Sequence, residues 1–418
     1  MKKVKLIPAA AAVILAAAGG FFLGRGLTPE PDRTRIRPQP AATDFEAIRS
    51  LPYVGAGSRT AGAGRNGVTA WNRELASPGS NLYLSGHLDG ADLLDLAGNR
   101  LKRWESPREE VLALLPEKPK RGNLTGLRFA HALPDLGLLA IHDYIALVRL
   151  DADSRVLWTF SGEPHHDLWI TPGGEIFVLT SREEQIPRLH PKTPILVDYV
   201  TVLDRSGKEK RAYSILKMLE NSPYSFLLPA VNQIEDDQPL DILHANSIQV
   251  FDGSWAGLDP EIYREGNILL SLRNLSFVFI YDPENREIVW GWGPTNLSYQ
   301  HKARLLDNGR ILIFNNGQET SKVVEVDPLT GEIAWEFRGG EEHPFFTRLL
   351  GAAQRLSDGN TLVTESEAGT VFEVTPAGEI VWQFVNPGET GGKIAVIPEM
   401  HRYPPDYFTV PLPRPGTD

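Results

Sequence analysis

The feature that most constrains this chain is a repeat. Three stretches near its end follow one plan: GNILLSLRNLSFVFIYDPENREIVWGW from Gly266, GRILIFNNGQETSKVVEVDPLTGEIAWEF from Gly309 and GNTLVTESEAGTVFEVTPAGEIVWQF from Gly359. Each opens on a glycine turn, runs through an apolar strand, a polar break and an alternating strand, then turns and ends in a strand carrying Trp. β-Branched and aromatic residues between turn formers are the signature of strands and hairpins. Fainter copies occupy 82–104, 138–160 and 174–215, the last with a long insertion between its strands. Six units with a period of about 45 residues predict a propeller rather than a helical solenoid. Closing the units on one another removes the exposed sheet edges. The expected fold is all-β, a six-bladed β-propeller over 81–387.

Trp104, Trp158, Trp290, Trp335 and Trp382 fall at matching places near the unit ends. Packing between adjacent blades is the expected role of such large apolar side chains. Aromatic blade ends also occur in quinone-cofactor dehydrogenases, which keeps a quinone-dependent oxidoreductase as an alternative reading. Two segments, 183–199 and 219–241, break the rhythm as long connections rich in proline, the first holding His190. Loops of that length are functional lids or irregular surface. The tail at 388–418 contains Met400-His401-Arg402-Tyr403-Pro404-Pro405 and is expected to pack on the first blade or the propeller bottom.

The chain has 418 residues, no cysteine and a net charge of −11. Lacking cysteine, it has no disulfide, thiolate metal site or cysteine nucleophile. The acidic balance, with no cluster of Lys and Arg beyond the first few residues, argues against nucleic acid. Lys2, Lys3 and Lys5 precede an apolar run at 6–23 that Arg25 closes. A basic start before such a run is an export signal. Ala16-Ala17-Ala18 offers a cleavage site, but the run is long enough to stay in the bilayer as a slightly short anchor. Basic residues at its start leave the remainder outside. We therefore expect 1–25 to be a signal peptide or, preferably, a transmembrane anchor in the inner membrane. The proline-rich segment within 26–80 then serves as linker and approach to a periplasmic or extracytoplasmic body.

His301 lies eight residues before Gly309, and His166 stands at the same offset before Gly174. His244 takes the corresponding place in the fourth unit. The inner strands of a propeller start near its axis, so one repeat position on several blades converges on one mouth of the channel. Arg273, after the strand that follows His244, adds a fixed positive charge. Asn246 offers an amide on the same strand face as His244. Single histidines in a repeat usually hold turns; three in register beside Arg and Asn point to chemistry on a small anion. Zinc or copper is the competing ligand for such a cluster. Asp167 is the main carboxylate nearby, and an arginine beside the site repels a cation, so we expect no metal and no cofactor. His87, His131, His142 and His343 are read as structural or exposed.

Four motifs, His165-His166-Asp167, His244-Ala245-Asn246-Ser247, Leu270-Ser271-Leu272-Arg273 and Gln300-His301-Lys302-Ala303, resemble the bacterial arylsulfate sulfotransferases, which work without a nucleotide sulfate donor. The resemblance runs over about 81–407. It implies a six-bladed propeller that holds a sulfate ester over a histidine nucleophile, in an extracytoplasmic setting. By motif, His301 is similar to the histidine that accepts the sulfuryl group. His244, Asn246 and Arg273 resemble the residues that hold its oxygens. His166, rather than His165 one residue off register, resembles the remaining active-site histidine. Without the large β-rich N-terminal domain and the cysteine pair of the best-known members, the chain resembles a shorter branch.

The reaction so implied is transfer of a sulfuryl group from a phenolic sulfate ester to a phenolic acceptor through a sulfohistidine. Its loose transition state spreads charge over three oxygens, as in phosphoryl transfer, and calls for alignment and hydrogen-bond donors. Neutral imidazole is a competent nucleophile near pH 7, and a second histidine can protonate the departing phenolate. A non-catalytic, membrane-tethered binding module remains the other alternative. Donor, acceptor and oligomeric state are left open.

Overall fold

In the computed structural model the chain is described over 56–61, 66–122, 126–232, 238–340 and 343–413. The expected signal or anchor at 1–25 lies outside these residues. Among the described residues no helix is long and apolar enough to cross a membrane.

Alternation of side chains explains how the strands are used. Ile176 and Val178 pack with Leu139, Ile141 and Leu147 of the preceding sheet, while Phe177 and Leu179 pack with Ile248, Leu270 and Phe279 of the following one. A strand buried on both faces needs apolar residues at every position, which accounts for runs such as IFVL and ILLSL. The result is an all-β, propeller-like molecule. Among the described residues, six antiparallel sheets have four or five strands and a seventh, small one has three. The core is divided into layers between neighbouring sheets, and one layer joins the last sheet (Leu362, Val371, Trp382) to the first (Tyr83, Leu94).

The tryptophans of the repeat staple the sheets together. Each indole N–H donates to a carbonyl in a turn of the next sheet: Trp104 to Leu136, Trp158 to Arg205, Trp335 to Pro376 and Trp382 to Leu96, at 2.8, 3.2, 2.9 and 2.9 Å. In the fourth sheet Trp292, rather than the expected Trp290, makes this bond, to Gly331 at 3.1 Å. Trp290 takes the same paired position beside a strand bulge as its counterparts Trp335 and Trp382, and Trp292 lies two residues further along the same strand face.

Both ends of the chain enter the sheets. Gly67–Trp71, inside the expected linker 26–80, pairs with Ile380–Val385 as a fifth strand. Met400–Tyr403, in the expected tail, pairs with Ser80–Leu84 and occupies the inner position of the first sheet. The tail thus completes a sheet instead of merely lying on one. The two long connections also differ from expectation. Residues 183–184 and 195–199 belong to paired strands, Ile176–Glu184 and Ile195–Leu203, so the first connection shrinks to 185–194. His190 closes it by accepting the backbone N–H of Thr193 at 2.6 Å. The second begins in the helix Ile215–Glu220, capped by Ser214, whose Ile215, Leu216, Met218 and Leu219 are buried between the third and fourth sheets.

Arg402 locks the closing strand. It is buried, pairs with the equally buried Glu373 of the last sheet, and donates to Asn81 Oδ1 at 2.8 Å and Ser77 O at 3.0 Å. Removing one member of a buried pair strands the other's charge. Arg402→Met is therefore expected to lower unfolding stability by about 3–5 kcal/mol, with part of the loss restored by adding Glu373→Gln, as measured by urea denaturation of the single and double variants.

Candidate active site

The first strands of the third, fourth and fifth sheets lie side by side, and the candidate residues sit where these three strands begin. The strands are Pro164–Ile170, Ala245–Val250 and His301–Leu305. Each carries a bulge near its start, with left-handed backbone at His166 (φ 57°), His244 (φ 54°) and Lys302 (φ 46°). These irregularities alter the expected register. Counting back four residues from the last paired residue, Ile170, Val250 or Leu305, gives His166, Asn246 and His301. Asn246 is the equivalent position in the fourth unit, and His244 stands two residues before it.

The ring of His166 nevertheless meets that of His244 edge-on, with centroids 4.8 Å apart. His301, His166, His244 and Arg273 are close enough for their charges to act on one another. Arg273 is held by the strand end: its backbone N–H donates to His244 O at 3.1 Å, its Nη1 to Asn274 Oδ1 at 3.0 Å, and its guanidinium lies over Tyr299 at 4.7 Å. Asn246 Nδ2 donates to Gln300 O at 2.7 Å, so one of its two amide N–H bonds is already committed. Four buried polar atoms here, His166 Nε2, His244 Nε2, Asn246 Oδ1 and Arg273 Nε, have no protein partner. Buried polar atoms are usually paired, and a cluster of exceptions marks a place for a polar ligand.

Hydrogen bonds settle how the imidazoles are presented. His301 Nδ1 lies 3.1 Å from Tyr299 O and 2.7 Å from Asn316 Oδ1. Asn316 cannot turn its amide, because Nδ2 donates to Thr347 O and Leu350 O, both at 2.8 Å. Two acceptors at Nδ1 keep the proton there and leave Nε2 with its lone pair. His244 Nδ1 likewise donates to Asp241 Oδ2 at 2.5 Å. His165 and His166 share a bond between their Nδ1 atoms at 2.9 Å, and His165 Nε2 lies 3.3 Å from Asp198 Oδ1.

The electrostatics divide these rings. Burial, then the Arg273 guanidinium, hold His301 well below the usual imidazole range, against the opposing bond to Asn316. Burial and Arg128 do the same to His166. His165 goes the other way: burial lowers it, but Asp198, Asp143 and Asp241 together outweigh that and raise it. Asp241 stays ionised, since the charges and bonds of His244 and His165 overcome the cost of burying a carboxylate.

Several of these groups were not legible in the repeat: Asp198, Asp241, Asn316, Arg128 and the partnership of His165. Asp167, the carboxylate considered for a metal, accepts from Ile248 N at 3.0 Å, Arg304 Nη2 at 2.7 Å and Lys302 Nζ at 3.1 Å. Among the described residues no three His, Asp or Glu side chains are grouped to hold a metal. A cavity of about 870 Å³ opens at the far ends of the same strands, lined by Trp169, Arg304, Gln354, His401 and Tyr407 among others. It is not the histidine site, which lies at the strand starts.

The family model for arylsulfotransferase (ASST) matches residues 139–387, a stretch that holds every candidate residue. The chain belongs to this family. No curated protein matches it. Among solved structures, a protein of unknown function from Bacteroides caccae is similar at 12% identity and TM-score 0.51, over 77% of this chain and 98% of that one. A streptogramin B lyase aligns at 11% identity and TM-score 0.44, over 85% and 95%. The β-propeller domain of Myceliophteria thermophila Cps50 (Swd1) aligns at 14% and 0.42, over 78% and 91%. The first supports the fold alone. The arylsulfotransferase match begins at 139, after the first sheet, so the family signal resides in the sheets that carry the histidines.

Titration of the buried histidines changes stability with pH. His131 and His142 are pushed down to about 4 and His401 to about 3 by burial, in the same direction as His166 and His301. An unfolded histidine titrates near 6.5, so below that pH the unfolded chain binds more protons and stability is lost as pH falls from about 6.5 towards 4. His165 alone among these has the opposite sign. Urea midpoints at pH 5 should lie well below those at pH 7.5, with a loss on the order of 2 kcal/mol for each of His131, His142 and His401; equal midpoints would show that these rings are not held neutral.

Proposed function

We propose that this arylsulfotransferase moves a sulfuryl group from an aryl sulfate to a phenol through a sulfohistidine on His301. The single observation that supports this most is the fixed tautomer of His301, whose Nδ1 proton faces two acceptors and whose depressed basicity keeps Nε2 unprotonated near neutral pH. Nε2 attacks sulfur, the N–S bond forms, and the S–O bond to the aryl group breaks with its electron pair staying on the phenolate oxygen. Arg273 and the second N–H of Asn246 receive sulfonate oxygens, where charge accumulates, and His244 receives the third through Nε2–H in its doubly protonated form, with Nδ1–H on Asp241. His166 meets the departing oxygen and gives it a proton. A phenol acceptor then takes the sulfuryl group by the reverse path, with no cofactor or metal involved.

On this reading the six larger sheets are six blades, and the site lies at one mouth of their axial channel. The basic start and apolar run of 1–25 support an enzyme outside the cytoplasm, tethered to the inner membrane. A phenolic sulfate ester and a phenolic acceptor are its small-molecule partners.

In a transfer assay from an aryl sulfate to a phenol, His301→Ala is expected to lose on the order of 10³-fold or more in rate. Intact-protein mass spectrometry after donor alone should show one added SO₃ on the parent and none on the variant. Equal turnover by the two proteins would remove His301 as nucleophile.

A further inference from the structure

His165 has no role in the mechanism above, yet it is among the most deeply buried polar residues of the site. It lies between Asp198, 3.3 Å from its Nε2, and His166, 2.9 Å from its Nδ1. Asp198 is itself fixed, since its other oxygen accepts Ala245 N at 2.7 Å. Tyr144 stacks on the His165 ring at 5.2 Å, with Arg121 behind Tyr144. The charged and titratable groups facing His165 are Asp143 and Tyr144 from the neighbouring turn, Asp198 from Ile195–Leu203, and Asp241 and His244 from the fourth unit; Arg128 acts on His166. Three carboxylates therefore act on the His165 ring, whereas Arg128 and the neighbouring histidines act on the His166 ring, whose backbone N–H donates to Asp143 Oδ1 at 3.3 Å.

We propose that Asp198, His165 and His166 form a proton relay, in which His165 passes its Nδ1 proton to His166 Nδ1 while His166 passes its Nε2 proton to the departing phenolate oxygen. This rests on the transfer reaction proposed above and assigns the store of its proton. Before the step, His165 is a cation held by Asp198, and His166 is neutral with hydrogen on Nε2. After it, His165 is neutral and keeps Nε2–H towards Asp198, while His166 is neutral with hydrogen on Nδ1. One proton has moved from His165 to the phenol, no net charge has been left on His166, and the incoming phenol returns that proton by the same two hops. The relay solves a specific difficulty. A desolvated imidazole beside Arg128 is a poor place to store a proton as a cation, but it conducts one well if its two nitrogens exchange roles. His165 acts through His166 and does not touch substrate, so it is a positioning residue for the proton.

The test uses the full chain and compares two donors in single-turnover sulfation: 4-nitrophenyl sulfate, whose phenolate leaves without help, and phenyl sulfate, whose phenolate needs a proton. His165→Asn and Asp198→Asn are each expected to slow phenyl sulfate about 100-fold more than 4-nitrophenyl sulfate, the scale of lost general-acid catalysis. The parent's phenyl sulfate rate should fall on the alkaline side as His165 loses its proton, and that limb should be missing in His165→Asn. Equal slowing of both donors would mean a merely structural role and would overturn the relay. A measurement on the parent alone covers variants that fail to fold: the phenyl sulfate rate in H₂O–D₂O mixtures should curve with deuterium fraction, as two protons in flight require, and a straight line would overturn the proposal. Unimpaired turnover by His301→Ala would instead sink the sulfohistidine reading on which the relay is built.

Discussion

Everything in this molecule depends on how the inner strands satisfy their open edges. Each inner strand pairs on one side only, so a row of backbone N–H groups faces the axis without a strand partner. Side chains of the neighbouring sheet supply the acceptors. Asp167 takes the N–H of Ile248, Gln249 that of Leu305, and Gln354 that of Arg402. Ser247 does the same for Ala303. Polar residues recur along strands that are otherwise apolar because they carry the ladder from one sheet to the next. The bond from Arg402 to Gln354 joins the first sheet to the last, and with it the layered core closes.

That closure creates the site. Three strand starts meet because their sheets are tied in sequence, and the same ties remove water from the histidines. Desolvation then acts on every ring alike, lowering its basicity, and only local charge distinguishes them. Arg273 and Arg128 reinforce the trend at His301 and His166, while three carboxylates reverse it at His165. In the proposed reaction, one kind of side chain in two surroundings would thus supply a nucleophile kept neutral and a proton kept in reserve.

Much of this was legible from the repeat, and the failures have physical causes. His166 and His301 were found by their distance to a hairpin glycine, because both hairpins have the same length from Ile170 to Ile176 and from Leu305 to Ile311. His244 was misplaced by two residues, since a bulge and a left-handed residue leave no trace in apolar alternation. The tryptophan staples were expected as packing, although in the fourth sheet the work falls to Trp292. Asp198 and Asp241 come from an elongated hairpin and from the end of an insertion, so no repeat position announces them. Asn316 adjoins Asn315 in a strand-end turn and is distinguished only by what it faces.

The sequence by itself determined the strand period, the all-β class and the presence of histidine, asparagine and arginine where strands begin, because these follow from local spacing. It did not determine what those histidines are. His165 and His166 are adjacent and chemically identical, yet one ring is held above the ordinary imidazole range and the other well below it. The groups responsible, Asp198 and Asp241 for one and Arg128 for the other, lie tens of residues away along the chain. Only the tertiary structure brings them within reach, since charge acts through space and burial exists only once the sheets have closed.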